Sequence, residues 1–181
     1  MYLKVINLIK NGKVGVLATD TIYGVVAEAL DKSAVEKLYK IKGRSPSKPF
    51  IILISDISQL SLFGITLNNF AKKQINNYWP GPVSIILDCH DNNLDYLHRG
   101  KNSLAFRMPN KRRLLNLIDN TGPLVAPSAN PEGFEPAKDI DQARQYFGES
   151  IDFYIDEGAI TSNPSKIIKI SNNFMTVLRN N

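Results

Sequence analysis

Two short segments, far apart in the chain, combine residue types that suit a polyanion. The first is Lys42-Gly43-Arg44, with Lys48 close behind; the second is Ser128-Ala129-Asn130, set between Pro127 and Pro131. Lysine supplies a mobile point charge, and arginine a planar fork that can hold two phosphate oxygens. Serine and asparagine add neutral groups that both donate and accept. If the fold joins the segments, these cations and polar groups fit a nucleotide. Each segment also has a plainer reading. Cations at a helix C-terminus are stabilised by its dipole, which accounts for Lys42 but not for the cluster running to Lys48. In isolation, Pro-Ser-Ala-Asn-Pro is an ordinary turn with side-chain-to-backbone bonds.

Three further segments add chemistry. Thr19-Asp20-Thr21-Ile22-Tyr23-Gly24 places two hydroxyls, a carboxylate and a phenol together. Such a set can hold a small zwitterion, with the carboxylate accepting from an ammonium. Threonine and tyrosine are equally good strand residues. Thr21 and Tyr23 share a side if the strand continues, which would leave one of them in the core. Arg107, in Ala105-Phe106-Arg107-Met108-Pro109, ends a strand among apolar neighbours. If buried it needs an anionic partner: a bound carboxylate, or one of the 17 acidic residues. Trp79-Pro80-Gly81-Pro82 reads as structural, an indole packed where a helix stops. No P-loop or nucleophile elbow is present. His90 and His98 lie in an irregular polar stretch and read as surface residues, which leaves a covalent Ser-His mechanism little support.

The elements that must position these groups follow from periodicity. Helices are predicted over 3–11, from Ser33 to Lys42, and over 56–63, 67–79, 111–119 and 139–147. Ser33-Ala34-Val35-Glu36 has the capping-box pattern, and Gly43 marks the stop. Strands are predicted over 14–18, 50–54, 83–87, 103–107, 123–126 and 151–155, with a terminal hairpin of 166–170 and 174–178 around Ser171-Asn172-Asn173. The expected fold is a single α/β domain over 1–181, with a mixed, twisted sheet and flanking helices.

Composition sets outer bounds. The chain has 181 residues, 43% hydrophobic, and a net charge of +5. One substantial core is expected, and the mild basicity permits nucleotide or RNA binding without demanding it. No apolar run approaches the ~18 to 20 residues that span a bilayer. The N-terminus lacks a signal-peptide pattern. With Cys89 as the single cysteine, no intrachain disulfide forms, which fits a reducing cytoplasm. Two histidines and one cysteine argue against a zinc site.

Taken in order, the five segments resemble the YrdC-like family, the threonylcarbamoyl-AMP synthases, from about Gly12 to Arg179. The resemblance implies a basic concave cavity over a twisted sheet, lined by a lysine-x-arginine and a serine-x-asparagine pair. Here those are Lys42, Arg44, Ser128 and Asn130, the expected catalytic and nucleotide-binding set. Ser165 and Arg179 look like the family's late nucleotide contacts. Thr19, Thr21, Tyr23 and Arg107 would hold threonine. The implied reaction condenses L-threonine, bicarbonate and ATP to threonylcarbamoyl-AMP and pyrophosphate, for threonylcarbamoyladenosine in tRNA. Mg2+ carried mainly by ATP would explain the lack of a dense carboxylate cluster, so no protein metal ligands are expected. The implied partners are tRNA or other RNA, and transiently the threonylcarbamoyl-transferase complex; a membrane is not among them. The sequence departs from the family pattern at Lys166, at Asn180 and Asn181, and at Leu53 and Ile54, the region where some members carry histidine. The length corresponds to the short form. Two rivals remain: a carbamoyl-adenylating domain of the same fold, usually found in cysteine-rich longer chains, and a non-catalytic RNA-binding module.

Overall fold

Apolar runs of strand length alternate with amphipathic stretches, and each must bury its apolar side against another. The computed structural model describes residues 2–180. The described residues form six α-helices and a nine-stranded sheet. In chain order these are α1 (Tyr2–Lys10), β1 (Gly15–Ala18), β2 (Tyr23–Glu28), α2 (Lys32–Lys42), β3 (Ile51–Leu53), α3 (Asn69–Tyr78), β4 (Val83–Asp88), α4 (Asp95–His98), β5 (Ser103–Arg107), α5 (Arg112–Thr121), β6 (Leu124–Val125), α6 (Ile140–Phe147), β7 (Phe153–Tyr154), β8 (Lys166–Ser171) and β9 (Phe174–Arg179). The strand order is β7-β1-β2-β6-β3-β5-β4-β8-β9. Pairs β1/β7, β3/β5 and β4/β8 are parallel and the rest antiparallel, so the sheet is mixed as expected.

Alternation along the strands divides the core. On one face Ile52, Phe106, Ile85 and Ile168 lie in register, and Leu38 of α2, Ile75 of α3 and Ala143 of α6 belong to the same cluster. On the other face Leu17, Val26, Leu53 and Leu124 pack with Val5 and Ile9 of α1 and with Leu114, Leu117 and Ile118 of α5. This second cluster holds residues of β1, β2, β3, β6 and β7 but none of β4, β5 or β8. The uncovered half of that face, at Ala105, Ile86 and Ile167, is where a cavity opens.

Several expectations change on inspection. Strand β2 was not foreseen; it begins inside the threonine-rich segment and makes a hairpin with β1. Ser33 is not the helix cap. Asp31 takes that place, its carboxylate accepting from the Ser33 and Ala34 amides, because its side chain reaches two orphan donors at once. Residues Ile57–Phe63 form a 3-10 helix rather than an α-helix, started by Asp56. His98 is buried at 2% exposure, its Nε2 lying 3.2 Å from the Asp91 carbonyl, since the short α4 turns it inward. Trp79 is structural as expected: it is buried and its indole N–H donates to the Val83 carbonyl at 2.7 Å.

Candidate active site

The cavity of about 520 Å³ lies over the uncovered half of the sheet. Strand β5 supplies its floor by the two-residue period: Ser103, Ala105 and Arg107 all line it, and Lys101 continues the row one repeat earlier. The β1–β2 turn, the Ala126–Ser128 segment and Pro164-Ser165 form walls. Arg44, Lys101, Arg107 and Arg179 bring four cationic side chains to the lining, which contains no Asp or Glu. A concave surface of one charge sign concentrates anions.

At one end, Arg107 is 4% exposed. Its Nη1 lies 2.7 Å from Asp20 Oδ1 and donates to Thr21 Oγ1 at 2.9 Å. Burial works against the guanidinium's charge, and Asp20 supports it. Thr19 builds the turn: its amide and hydroxyl both donate to the Ile22 carbonyl, at 3.0 and 2.7 Å. The Lys111 ammonium donates to the Ala18 carbonyl at 2.9 Å and pairs with Glu157 at 2.8 Å.

At the other end, α2 stops at Lys42 because Gly43 takes the left-handed conformation, φ 58°. The Gly43 and Arg44 amides then close on the Lys40 and Tyr39 carbonyls. That reversal sends Arg44 to the cavity and Lys42 inward. Lys42 is 2% exposed, and its ammonium donates to the carbonyls of Ser128, at 2.5 Å, and Asn130. Burial, reinforced by the neighbouring Arg44 charge, pushes its pKa down to about 7. Ser128 bridges across to Gly24, and the Ala129 amide donates to the Tyr23 carbonyl at 2.9 Å. Gly24 permits this close approach: a Cβ would stand tightly, 3.2 Å from Thr19 Cγ2 and 3.3 Å from the Pro127 carbonyl. The 127–129 backbone thus runs antiparallel beside the start of β2, and the Lys42 ammonium at the end of α2 ties to it.

The structure brings Thr19, Thr21, Arg44, Arg107, Ser128, Ser165 and Arg179 to the lining. Ser165 pairs with the Ser84 hydroxyl at 2.8 Å, and its carbonyl accepts from Arg179 Nη2 at 2.6 Å. Tyr23, Lys42 and Asn130 are not on the lining. Tyr23 is fully buried, its hydroxyl donating to the Gly158 carbonyl at 2.7 Å and accepting from the Glu157 amide at 3.1 Å. Asn130 donates from Nδ2 to the Phe134 carbonyl at 2.6 Å, while its buried Oδ1 has no partner among the described residues. Lys101 and Ser103 escaped the sequence reading. The signal was present in the spacing of Lys101, Ser103, Ala105 and Arg107, which puts all four on one side of a strand.

The family model described as "Telomere recombination", for Sua5, YciO and YrdC, matches residues 7–181. The threonylcarbamoyl-AMP synthase of Idiomarina loihiensis is 32% identical over 167 residues, covering 89% of this chain and 90% of that protein. The crystal structure of P. abyssi Sua5 complexed with L-threonine superposes with a TM-score of 0.91 at 29% identity, covering 98% of this chain and 53% of that one. This chain therefore spans about half the length of the P. abyssi protein. E. coli YciO shares the fold, with a TM-score of 0.86 at 22% identity over 98% of this chain and 87% of that one. With nearly its whole length matched in sequence and in architecture, the chain belongs to the Sua5/YciO/YrdC family.

Proposed function

We propose that this chain is an L-threonylcarbamoyladenylate synthase, one YrdC-like domain over 1–181, that joins L-threonine, bicarbonate and ATP. The observation that carries this reading is the division of one cavity: a buried Arg107–Asp20 pair with two threonine hydroxyls at one end, and unneutralised cations elsewhere on the lining. A zwitterion complements an ion pair with flanking hydroxyls, and a polyphosphate complements clustered cations. Threonine's deprotonated amine attacks the carbon of carbon dioxide and gives up a proton to leave the carbamate; with bicarbonate as the source, its C–OH bond breaks and water leaves. The resulting carbamate oxygen attacks the α-phosphorus of ATP, and the bond to the β-phosphate breaks to release pyrophosphate.

In this reading Thr19, Thr21 and Arg107 hold the amino acid, while Tyr23 supports the turn from beneath. Arg44, Ser128, Ser165 and Arg179 meet the nucleotide, and Ser103 and Lys101 extend that row along β5. Lys42 and Asn130 shape the loop that presents Ser128. Charge building on the phosphates needs preorganised donors more than a protein nucleophile. Among the described residues no group of three or more His, Cys, Asp or Glu is arranged to hold a metal. Magnesium arrives on ATP's own oxygens. The reaction belongs in the cytoplasm, where threonylcarbamoyl-AMP serves tRNA through the threonylcarbamoyl-transferase complex. No helix among the described residues is long and apolar enough to cross a membrane.

Pyrophosphate release from ATP, with and without threonine and bicarbonate, tests the proposal. Release dependent on all three supports it. Release without threonine but with carbamoyl phosphate favours the carbamoyl-adenylating alternative. Salt-sensitive RNA binding without turnover favours the RNA module.

A further inference from the structure

Glu132 lies outside the cavity lining, and nothing in the proposed chemistry uses it. Its contacts nevertheless join the two segments that the site depends on. Its Oε2 accepts from the Ser45 amide at 2.7 Å, and its Oε1 pairs with the Lys48 ammonium. Its own amide donates to the Lys42 carbonyl at 3.0 Å. The carboxylate therefore grips both ends of the 45–48 turn, which is closed by the Lys48 amide donating to the Ser45 carbonyl at 3.1 Å.

That turn sets the position of Arg44. The Lys48 carbonyl accepts from Arg44 Nε at 3.1 Å and from the Tyr39 hydroxyl at 3.1 Å. The Arg44 guanidinium carbon lies 5.4 Å from the centre of the Phe50 ring, and Tyr39 stacks on Phe50 with centroids 4.0 Å apart. Arg44 is thus braced on one side by an aromatic pair and on the other by a carbonyl whose place Glu132 fixes. Lys42 runs the opposite way, from α2 into the Ser128 and Asn130 carbonyls. Together the two side chains lace the segments reciprocally. The termination of α2 needs neither Glu132 nor Lys48, because Gly43 already caps it. Lys48 and the Ser45 amide hold the Glu132 carboxyl below its usual pKa, so it stays charged at neutral pH.

We propose that Glu132 is a positioning residue for Arg44: its carboxylate ties the 45–48 turn to the 128–134 loop and holds the guanidinium over the cavity for the phosphates of ATP. The proposal rests on the reading of Arg44 as a phosphate contact. Lys48 is 57% exposed and Glu132 30%, so the tie is reversible and its effect graded.

The test compares Glu132→Ala, Glu132→Gln, Lys48→Met and the double variant Glu132→Ala/Lys48→Met. Glu132→Ala should raise the KM for ATP about fivefold, with the threonine KM and kcat changed less than about twofold, the size expected from losing one exposed ion pair and one hydrogen bond. Glu132→Gln keeps an acceptor for the Ser45 amide and should fall between. The double variant should be no worse than Glu132→Ala alone, since both remove one interaction. Amide hydrogen exchange at Ser45 and Lys48 in the ligand-free protein should quicken in Glu132→Ala. Faster exchange with an unchanged ATP constant overturns the proposal, as does unchanged exchange. An equal rise in the ATP and threonine constants also overturns it, because that marks general loosening. Calorimetric ATP binding by the same variants separates the two readings. A wild type without turnover sinks the synthase assignment, while the ATP dissociation constants still decide the fate of the tie.

Discussion

Both ends of the cavity bury a cation, and they neutralise it in opposite ways. Arg107 faces the carboxylate of Asp20 at 2.7 Å, with both side chains under a tenth exposed. Lys42, equally hidden, faces only peptide carbonyls. A carboxylate cancels a charge; a carbonyl dipole merely hydrogen-bonds to it. The Arg107 charge is therefore cancelled at close range by Asp20, with the Arg179 guanidinium also near enough to act on it. The Lys42 end has no carboxylate to cancel the Arg44 guanidinium on the lining, and Lys42 itself, its pKa pushed down to about 7, is charged only in part at neutral pH. The difference shows that the counter-group behind each cation sets the charge that the cavity offers in front, which is the basis on which we propose that its two ends take different substrates.

The comparison breaks most directly at Arg107. Arg107→Ala should cost about 3–5 kcal/mol of stability in urea unfolding, because Asp20 is left as an unpaired buried carboxylate. Removing both charges, as Arg107→Met with Asp20→Leu, should recover much of that stability without recovering threonine use. Lys42→Met strands no charge. It should cost about 1–3 kcal/mol for carbonyls left without a donor, offset in part by relief of a buried ammonium. Its rate of threonylcarbamoyl-AMP synthesis should nevertheless fall more than about tenfold, equivalent to ~1.4 kcal/mol, as the Ser128 loop loses its hold. Equal unfolding costs at the two sites would mean that the carbonyls and the carboxylate are equivalent partners.

A pH series sharpens the contrast further. The Lys42 pKa drops from 10.5 to about 7 on folding, with burial the main cause. Between those values the unfolded chain binds more protons than the folded one, so stability rises with pH across that window. Below about 7 the ammonium is charged in both states, and its burial cost is fully present. The stability difference between wild type and Lys42→Met should therefore shift in favour of wild type from pH 7 to pH 10, measured by urea unfolding at each pH. A flat difference would show that the two carbonyls sustain the charge completely. That result would bring the Lys42 end closer to the Arg107 end.

How much of this was readable beforehand follows from where the signals lie. Local stops were legible: Gly43 ends α2 as expected, and Asn172, at φ 54°, turns the β8–β9 hairpin within the foreseen Ser171-Asn172-Asn173. Strand β2 was not legible, because the β1–β2 turn contains no Gly, Pro or Asn. Thr19 makes that turn with its own hydroxyl, a role that threonine's strand preference conceals. At the α2 N-terminus the expected cap, Ser33, instead donates its hydroxyl to the carboxylate of Asp31, which caps the helix from two residues earlier. For the site, residue types identified charges but not their directions. Lys42 and Arg44 look alike in a loop, yet a left-handed glycine between them sends one inward and one outward. Likewise Asp20 as the partner of Arg107 is a contact across 87 positions of chain, set by the pairing of strands rather than by any local pattern.

The smallest expected effect is the most specific. Thr21 is 3% exposed; its hydroxyl accepts from Arg107 Nη1 at 2.9 Å and lies 3.2 Å from Thr19 Oγ1. Valine keeps the shape and volume of threonine but leaves the Arg107 donor short of one acceptor. Thr21→Val should therefore weaken threonine use by ~0.5 to 1.5 kcal/mol, a loss typical of one hydrogen bond. If the hydroxyl acts only on the bound amino acid, that loss appears as a raised threonine KM at nearly constant kcat, with the ATP constant unmoved. The Asp20–Arg107 pair remains in this variant, so the charge balance of that end is untouched. Steady-state titration of both substrates separates geometry from charge. A shift confined to ATP would mean that the amino-acid and nucleotide ends have been assigned in reverse. A shift confined to threonine would show that the Arg107 end reads its ligand through hydroxyl placement as well as through the ion pair.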